Sequence, residues 1–211
     1  MRYVDISVIV VNYNYGKLIR RCIRSLLHQD IHPDQYEIIV VDDCSTDDSV
    51  EALETFIKEG DVRLIRNNEN LGIGASAQIG VANSRGKYFV RVDSDDYAQP
   101  TFLYMLYNFL RFAPEYVGVC CDYFITNNEE KIISRESFKE KGLACGLMLL
   151  TSYVEIIGSY NPDKKVFEDK DLFERIDHNK IYHLPVPLYS YVKHGNSTTD
   201  RYGKEEQGAL H

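Results

Sequence analysis

Four apolar runs divide the first half of the chain: ISVIVV (6–11), YEIIVVDD (36–43), VRLIRN (62–67) and KYFVRVD (87–93). The first two have no polar alternation, which predicts strands buried on both faces of a sheet. Between the runs the period changes. YGKLIRRCIRSLLHQ places Leu18, Ile19, Cys22, Ile23, Leu26 and Leu27 at helical spacing, with arginines between them. STDDSVEALETFIKEG predicts a helix with Ser45 or Thr46 as its cap, Asp47 and Asp48 in an acidic opening, and Gly60 at its end. IGASAQIGVANSRG (73–86) predicts a helix of small residues that stops at Gly86. Strands that alternate with helices imply a parallel sheet, right-handed crossovers and helices on both sheet faces.

The second half is less regular. QPTFLYMLYNFLRFAP predicts a helix up to Pro114, and YVGVCCDYFIT a further strand. The stretch from Ser134 to Pro162 mixes loop, helix and turn signals. FEDKDLFERIDHN predicts a helix with an acidic start, and IYHLPVPLYSYVKHG a strand region broken by two prolines. NSTTDRYGKEEQGALH (196–211) has little apolar content and reads as a mobile tail or lid.

Bulk composition narrows the function classes. At 211 residues, 44% hydrophobic and 27% charged, the chain suits one soluble globular domain. A formal net charge of −8 argues against a nucleic-acid partner, which needs a basic surface. Five cysteines, odd in number and never spaced C-x-x-C, suggest reduced thiols rather than a disulfide framework or a zinc site. The opening MRYVDISVIVVNYN is too acidic and its apolar run too short for a signal peptide, and no run approaches a membrane span. The expected location is the cytoplasm.

Polar residues gather where the predicted strands end. The first strand runs into Asn12, Tyr13 and Asn14, the second into Asp42 and Asp43, and the fourth into Asp93, Asp95 and Asp96. Ligands of open parallel sheets bind at the carboxyl ends of the strands. Three acids within the four positions of D-S-D-D repel one another, and a divalent cation is the simplest compensation. Oxygen ligands of this kind suit Mg2+ or Mn2+. An EF-hand loop beginning at Asp93 fails, because Ala98 and Tyr104 stand where glycine and glutamate are needed. There is no P-loop, and NYNYGK after the first strand is not a dinucleotide fingerprint.

The ordered set ISVIVVNYNYGKLIRRCIRSLLHQ, YEIIVVDDCSTDDS, NNENLGIGASAQIGVANSRGKYFVRVDSDD, FEDKDLFERI and PLYSYVKHGNS resembles glycosyltransferase family 2. That resemblance implies an α/β fold of GT-A type, a Rossmann-like, mostly parallel central sheet flanked by helices in a single domain. It implies a domain over residues 1–195, with a nucleotide-binding half (1–97) and an acceptor-binding half (98–195). The implied activity is inverting transfer of a sugar from a nucleotide-sugar donor to a hydroxyl of a glycan or glycolipid, in cell-surface polysaccharide assembly.

The resemblance also implies roles for residues. Val11, Asn12 and Tyr13 would hold the nucleotide, with Tyr13 stacking on the base and Asp42 or Asp43 accepting from its edge. Asp93 and Ser94 open the family's D-x-D, with Asp93 toward the ribose. Asp95, Asp96 and His194 would hold Mn2+ or Mg2+ at the diphosphate, with Lys193 as an alternative positive charge. Asp169 would be the base that takes the acceptor proton. Glu168 would orient that base or hold the acceptor. Both acids would also stabilise a helix N-terminus without any chemistry. Tyr97, Tyr123, Tyr153 and Tyr160 are aromatic candidates for an acceptor sugar.

In one place the chain departs from the family. Its alanine-arginine-asparagine triplet is Ser76-Ala77-Gln78 here, so the arginine that helps hold the nucleotide is absent. The chain also lacks the membrane helices of processive synthases, so a single-addition transferase is expected. Contact with the inner membrane face would come only through a lipid-linked acceptor, and an oligomer is left open. The alternatives are a nucleotidyltransferase and a non-catalytic nucleotide-sugar-binding subunit.

Overall fold

The computed structural model describes residues 4–141, 145–164 and 168–195. The predicted tail, 196–211, lies outside them. The first half follows the alternation of the sequence: β1 (Val4–Asn12), α1 (Gly16–Leu27), β2 (Tyr36–Asp42), α2 (Ser49–Glu59), β3 (Arg63–Arg66), α3 (Ile73–Ala82) and β4 (Gly86–Asp93). Then follow β5 (Tyr97–Ala98), α4 (Phe102–Phe112), β6 (Gly118–Thr126), β7 (Ile132–Glu136), α5 (Phe138–Lys141), β8 (Leu147–Leu150), α6 (Thr151–Ile157), α7 (Glu168–Arg175) and β9 (Ile181–Val192).

The nine strands of the described residues join one sheet in the order β3-β2-β1-β4-β8-β6-β9-β5, with β7 on the edge of β6 beside β8. β1 to β4 are mutually parallel, and β6 pairs parallel with β9. β8 runs antiparallel to both β4 and β6, so β6 and β9 point the same way as β1 to β4. The sheet is therefore mostly parallel, with β5, β7 and β8 reversed.

Two apolar layers cover it. Ile6, Val8, Val10, Val90 and Val92 face α1, α2 and α4, while Ile9, Val11 and Phe89 face α3, α6 and α7. This division follows from the period-two alternation of β1 and β4, which sends successive side chains to opposite faces. Phe89, Ile6 and Ile9 are at most 1% exposed, and each contributes about 1.5–3 kcal/mol through burial.

Several details differ from the sequence reading for identifiable reasons. α2 starts at Ser49 rather than beside Ser45, because the Asp47 carboxylate accepts from the Ser49 amide (3.0 Å) and from the Gly16 amide (3.0 Å). Gly60 closes α2 in the left-handed region (φ +81°), as predicted. α3 ends at Ala82, and Gly86 instead opens β4, where a Cβ would lie 2.5 Å from the Ser7 nitrogen. The prolines at 185 and 187 do not break β9. They sit where its register against β6 slips, between the pairs Cys121–Leu184 and Asp122–Pro187. A bulge there removes the need for proline amides in the ladder.

Candidate active site

The carboxyl ends of β1, β2 and β4 meet at one rim. The Asn12 amide group donates to Asp42 Oδ1 (3.0 Å) and to Ser45 Oγ (3.1 Å). Asp42 Oδ2 accepts the Ser45 amide (3.2 Å) and lies 3.4 Å from Arg66 Nε. Asp43 accepts from the Asn67 side chain (2.8 Å) and from the backbone amides of Leu71 (2.9 Å) and Gly72 (2.8 Å). Both acids are buried, so they hold the loops after β1, β2 and β3 together. Val11 and Asn12 are buried beneath this knot, and Asn12 Oδ1 has no hydrogen-bond partner among the described residues. Tyr13 is 39% exposed and presents its ring at the rim.

The D-S-D-D segment is a tight turn in which the Asp96 amide donates to the Asp93 carbonyl (3.0 Å). Its acids occupy different environments. Asp93 Oδ2 accepts from the Cys145 thiol (2.9 Å), and Oδ1 lies 3.2 Å from Arg91 Nε. Asp96 is buried and accepts from the Tyr189 hydroxyl (2.7 Å) and the Val192 amide (2.8 Å). Asp95 Oδ2 lies 2.8 Å from His194 Nε2, and the Asp95 carbonyl accepts from Arg21 (3.0 Å). Burial pushes Asp96 well above the usual carboxylate range, and Asp95 and Asp93 add to the shift. Burial also raises Asp93, partly opposed by Arg91. The Cys145 thiol is raised well above its ordinary value by burial and by Asp93, so it stays protonated and donates.

This turn has the donor set of a hard divalent ion. Asp95 and His194 offer an oxygen and an imidazole nitrogen side by side, and the buried Ser94 Oγ has no hydrogen-bond partner among the described residues, while Asp93 Oδ1 faces the Arg91 guanidinium. Asp93, Asp96 and Cys145 also bring ligand atoms within 4.8 Å of one another. A protonated thiol is a poor ligand for Mg2+ or Mn2+, and both Asp96 oxygens already accept from within the chain. The Asp95–His194 side of the turn fits such an ion better.

α7 brings the second group of acids to the same place. Glu168 is buried at its first turn, with Oε1 2.5 Å from Arg91 Nη1. Asp169 is partly exposed, and its Oδ1 accepts the Lys170 amide (2.7 Å). The first turn thus points one acid inward and leaves the other facing outward. Of the tyrosine candidates, Tyr123 and Tyr160 are buried, Tyr153 accepts the Asp177 amide (3.1 Å), and the Tyr97 ring lies 5.1 Å from the Arg21 guanidinium.

The sequence reading missed Arg91, Cys145 and Tyr189, whose side chains define the geometry of the turn. Arg91 had a visible signal: a charged residue at an inward-facing position of a buried strand, two places before the first acid. Tyr189 and Cys145 carried no such mark, because the contacts that matter span 93 and 52 positions.

The fold has close counterparts among solved structures. Staphylococcus aureus TarS superposes with a TM-score of 0.75 at 22% identity, over 98% of this chain and 39% of TarS. The Pyrobaculum calidifontis mannosyltransferase PcManGT, solved in complex with GDP-Man and Mn2+, superposes with a TM-score of 0.71 at 18% identity, over 97% of this chain and 61% of its own. This is the GT-A glycosyltransferase architecture.

In sequence, the profile described as Glycosyl transferase family 2 matches residues 7–186. The chain belongs to that family. A Haemophilus influenzae protein described as an uncharacterized glycosyltransferase is 28% identical over 225 residues, covering 95% of this chain and 69% of the relative. The Bacillus spizizenii poly(ribitol-phosphate) beta-glucosyltransferase is 39% identical over 108 residues, covering 50% of this chain and 17% of the relative. No helix among the described residues is long and apolar enough to cross a membrane.

Proposed function

We propose that the chain is a metal-dependent, inverting glycosyltransferase that moves a sugar from a nucleotide-sugar donor to a hydroxyl of a cell-surface glycan or a lipid-linked glycan. The observation that carries this reading is the convergence of the D-S-D-D turn and the start of α7, joined by contacts of Arg91 to Asp93 and Glu168. Relatives and structural neighbours support the donor class, since they include complexes with UDP-GlcNAc and GDP-Man. The poly(ribitol-phosphate) transferases among them support a wall-polymer acceptor.

In this reading Tyr13 stacks on the nucleotide base beside the Asp42–Asp43 knot, and Asp93 and Ser94 line the ribose side. Asp95 and His194 would hold Mn2+ or Mg2+, with Asp96 anchoring the turn behind them. Such an ion, when bound there, would supply positive charge toward the departing diphosphate. Asp169, on the solvent side of α7, takes the proton of the acceptor hydroxyl as its oxygen attacks the anomeric carbon. Attack comes opposite the leaving diphosphate and inverts the configuration at that carbon. Glu168, buried and held by Arg91, fixes the start of the helix that carries Asp169.

The test is thermal unfolding against UDP, GDP, CDP and dTDP, each with Mn2+ and with a chelator. A ligand at ~100 times its dissociation constant adds about 2.7 kcal/mol, which is a shift of roughly 5–10 °C for a chain of this size. Stabilisation by one nucleotide, only with metal, is the expected result. No shift with any of the four would overturn the reading.

A further inference from the structure

Arg91 is 3% exposed, on the face of β4 that packs under α3, α6 and α7 beside Phe89. The alternation of β4 calls for an apolar side chain there, and a buried guanidinium is costly unless its charge and N–H groups are matched. Here the charge is matched by two carboxylates, although Nε meets its acid as an ion pair without hydrogen-bond geometry. Nε lies 3.2 Å from Asp93 Oδ1, Nη1 is 2.5 Å from Glu168 Oε1, and Nη2 is 3.7 Å from Cys145 Sγ. The Tyr160 ring covers the group at 5.6 Å from Cζ.

These two carboxylates belong to different elements and, in the proposed reaction, to different sides of the scissile bond. Asp93 ends β4 and opens the donor turn, whereas Glu168 opens the helix that carries Asp169. We infer that Arg91 is the positioning residue of this site: one planar guanidinium sets the distance between the donor turn and the helix of the acceptor base. This inference rests on the proposed glycosyl transfer. Its geometry calls for arginine in particular. A guanidinium can reach Asp93 through one nitrogen and Glu168 through another, while a lysine ammonium is a single point on a flexible stem.

A second contact supports the idea that the start of α7 is set rather than loosely docked. A Cβ on Gly74, at the start of α3, would lie 3.2 Å from Glu168 Cβ and 2.6 Å from the Asn161 carbonyl oxygen. With Gly74 on one side and Arg91 on the other, Glu168 has little freedom to move.

The test compares Arg91→Lys, Arg91→Met, Glu168→Gln and the Arg91→Lys/Glu168→Gln pair in the full chain. The readouts are UDP and GDP binding with Mn2+, and nucleoside diphosphate release from UDP-glucose, UDP-N-acetylglucosamine and GDP-mannose. Arg91→Met is expected to lower the melting temperature, since it leaves the buried Glu168 and the partly buried Asp93 without their cation. Arg91→Lys should keep the fold and bind nucleotide within about threefold of the unsubstituted chain, while turnover falls by roughly 10²-fold. The paired variant should lose no more than about threefold beyond Glu168→Gln alone, because both changes remove the same constraint.

Full turnover in Arg91→Lys, or additive losses in the pair, would overturn the positioning role and leave the transferase reading intact. Nucleotide binding without release by the unsubstituted chain would also overturn it, since the arranged carboxylates would then serve no transfer. If the unsubstituted chain binds no nucleotide at all, the transferase reading fails and the positioning role fails with it.

Discussion

The Tyr189 hydroxyl lies between two acids of the same turn: it donates to Asp96 Oδ2 at 2.7 Å and accepts the Asp93 amide at 3.1 Å. Burial raises Tyr189 itself well above the ordinary phenol value, with Asp96 adding to the shift, so it remains a donor at any working pH. A residue of β9 thereby fixes the shape of the D-S-D-D turn at the end of β4. Tyr189→Phe leaves an Asp96 oxygen and the Asp93 amide unpaired in the interior, at a cost of about 1–3 kcal/mol. Thermal unfolding should show a drop of several degrees, and Mn2+-dependent nucleotide affinity should fall with it.

Asp95 and His194 should act as a unit toward the metal. Asp95→Asn and His194→Ala are each expected to weaken the Mn2+ dependence of UDP or GDP binding by about tenfold or more, the scale seen when a partner is removed from a metal centre. Chelation of the unsubstituted chain should produce the same loss. Titration calorimetry with and without chelator measures it. Unchanged Mn2+ dependence in both variants would move the metal to the Asp93–Asp96 side of the turn.

Asp169→Asn should remove the acceptor base while leaving the donor site whole. Turnover is expected to fall by about 10²–10⁴-fold, with nucleotide binding unchanged. A variant that turns over normally would assign the acids of α7 to the helix dipole alone.

Gly74→Ala probes the joint between α3 and α7. The added Cβ would collide with the carbonyl oxygens of Asn161 and Lys164, which are backbone and cannot swing aside. A loss of about 1–3 kcal/mol is expected from overpacking. The start of α7 should shift as well, so turnover should drop more than nucleotide binding does.

Far from the site, Glu37 carries a pH-dependent share of the stability. Burial alone would raise its carboxyl, but hydrogen bonds from Arg85 and Ser7 and the charge of Arg63 outweigh that and hold it below the ordinary range. A depressed carboxyl stabilises the fold above its unfolded value and loses that contribution as pH falls through its folded value. Glu37→Gln should therefore be less stable than the unsubstituted chain at neutral pH. The gap should narrow as pH falls through and below the usual carboxylate range, which urea unfolding at a series of pH values reads directly.

The parallel half of the sheet was legible because its signals are local. Val8, Val10, Val40 and Val41 lie in unbroken apolar runs, and Leu26 and Gly60 mark the packing face of α1 and the end of α2. The acids of the rim could be found for the same reason, since they directly follow those runs. The short strands β5, β7 and β8 could not. They have two, five and four residues, and their pairing is decided by partners elsewhere in the chain. Ser45 misled as a helix cap because its hydroxyl accepts from Asn12 and Asn14, residues on another element. The roles of the site's acids divide along the same line. Which carboxylates gather at the rim is written locally, whereas which of them face inward depends on Arg91, Tyr189 and Cys145.

The position of β8 also bears on how the chain reaches its native state. It lies between β4 and β6 in the sheet, yet it leaves the ribosome after both. Until residues 147–150 are made, β4 and the Gly118–Cys120 end of β6 each present an open edge, since β7 covers only the Tyr123–Thr126 end of β6. Each edge then closes through only three residue pairs, Tyr88–Leu150 to Val90–Met148 on one side and Gly118–Leu149 to Cys120–Leu147 on the other. Unpaired edges of this kind invite association between nascent chains. The four residues LMLL close that gap, and a chain cut short before them would lack the strand that joins β4 to β6 within the sheet.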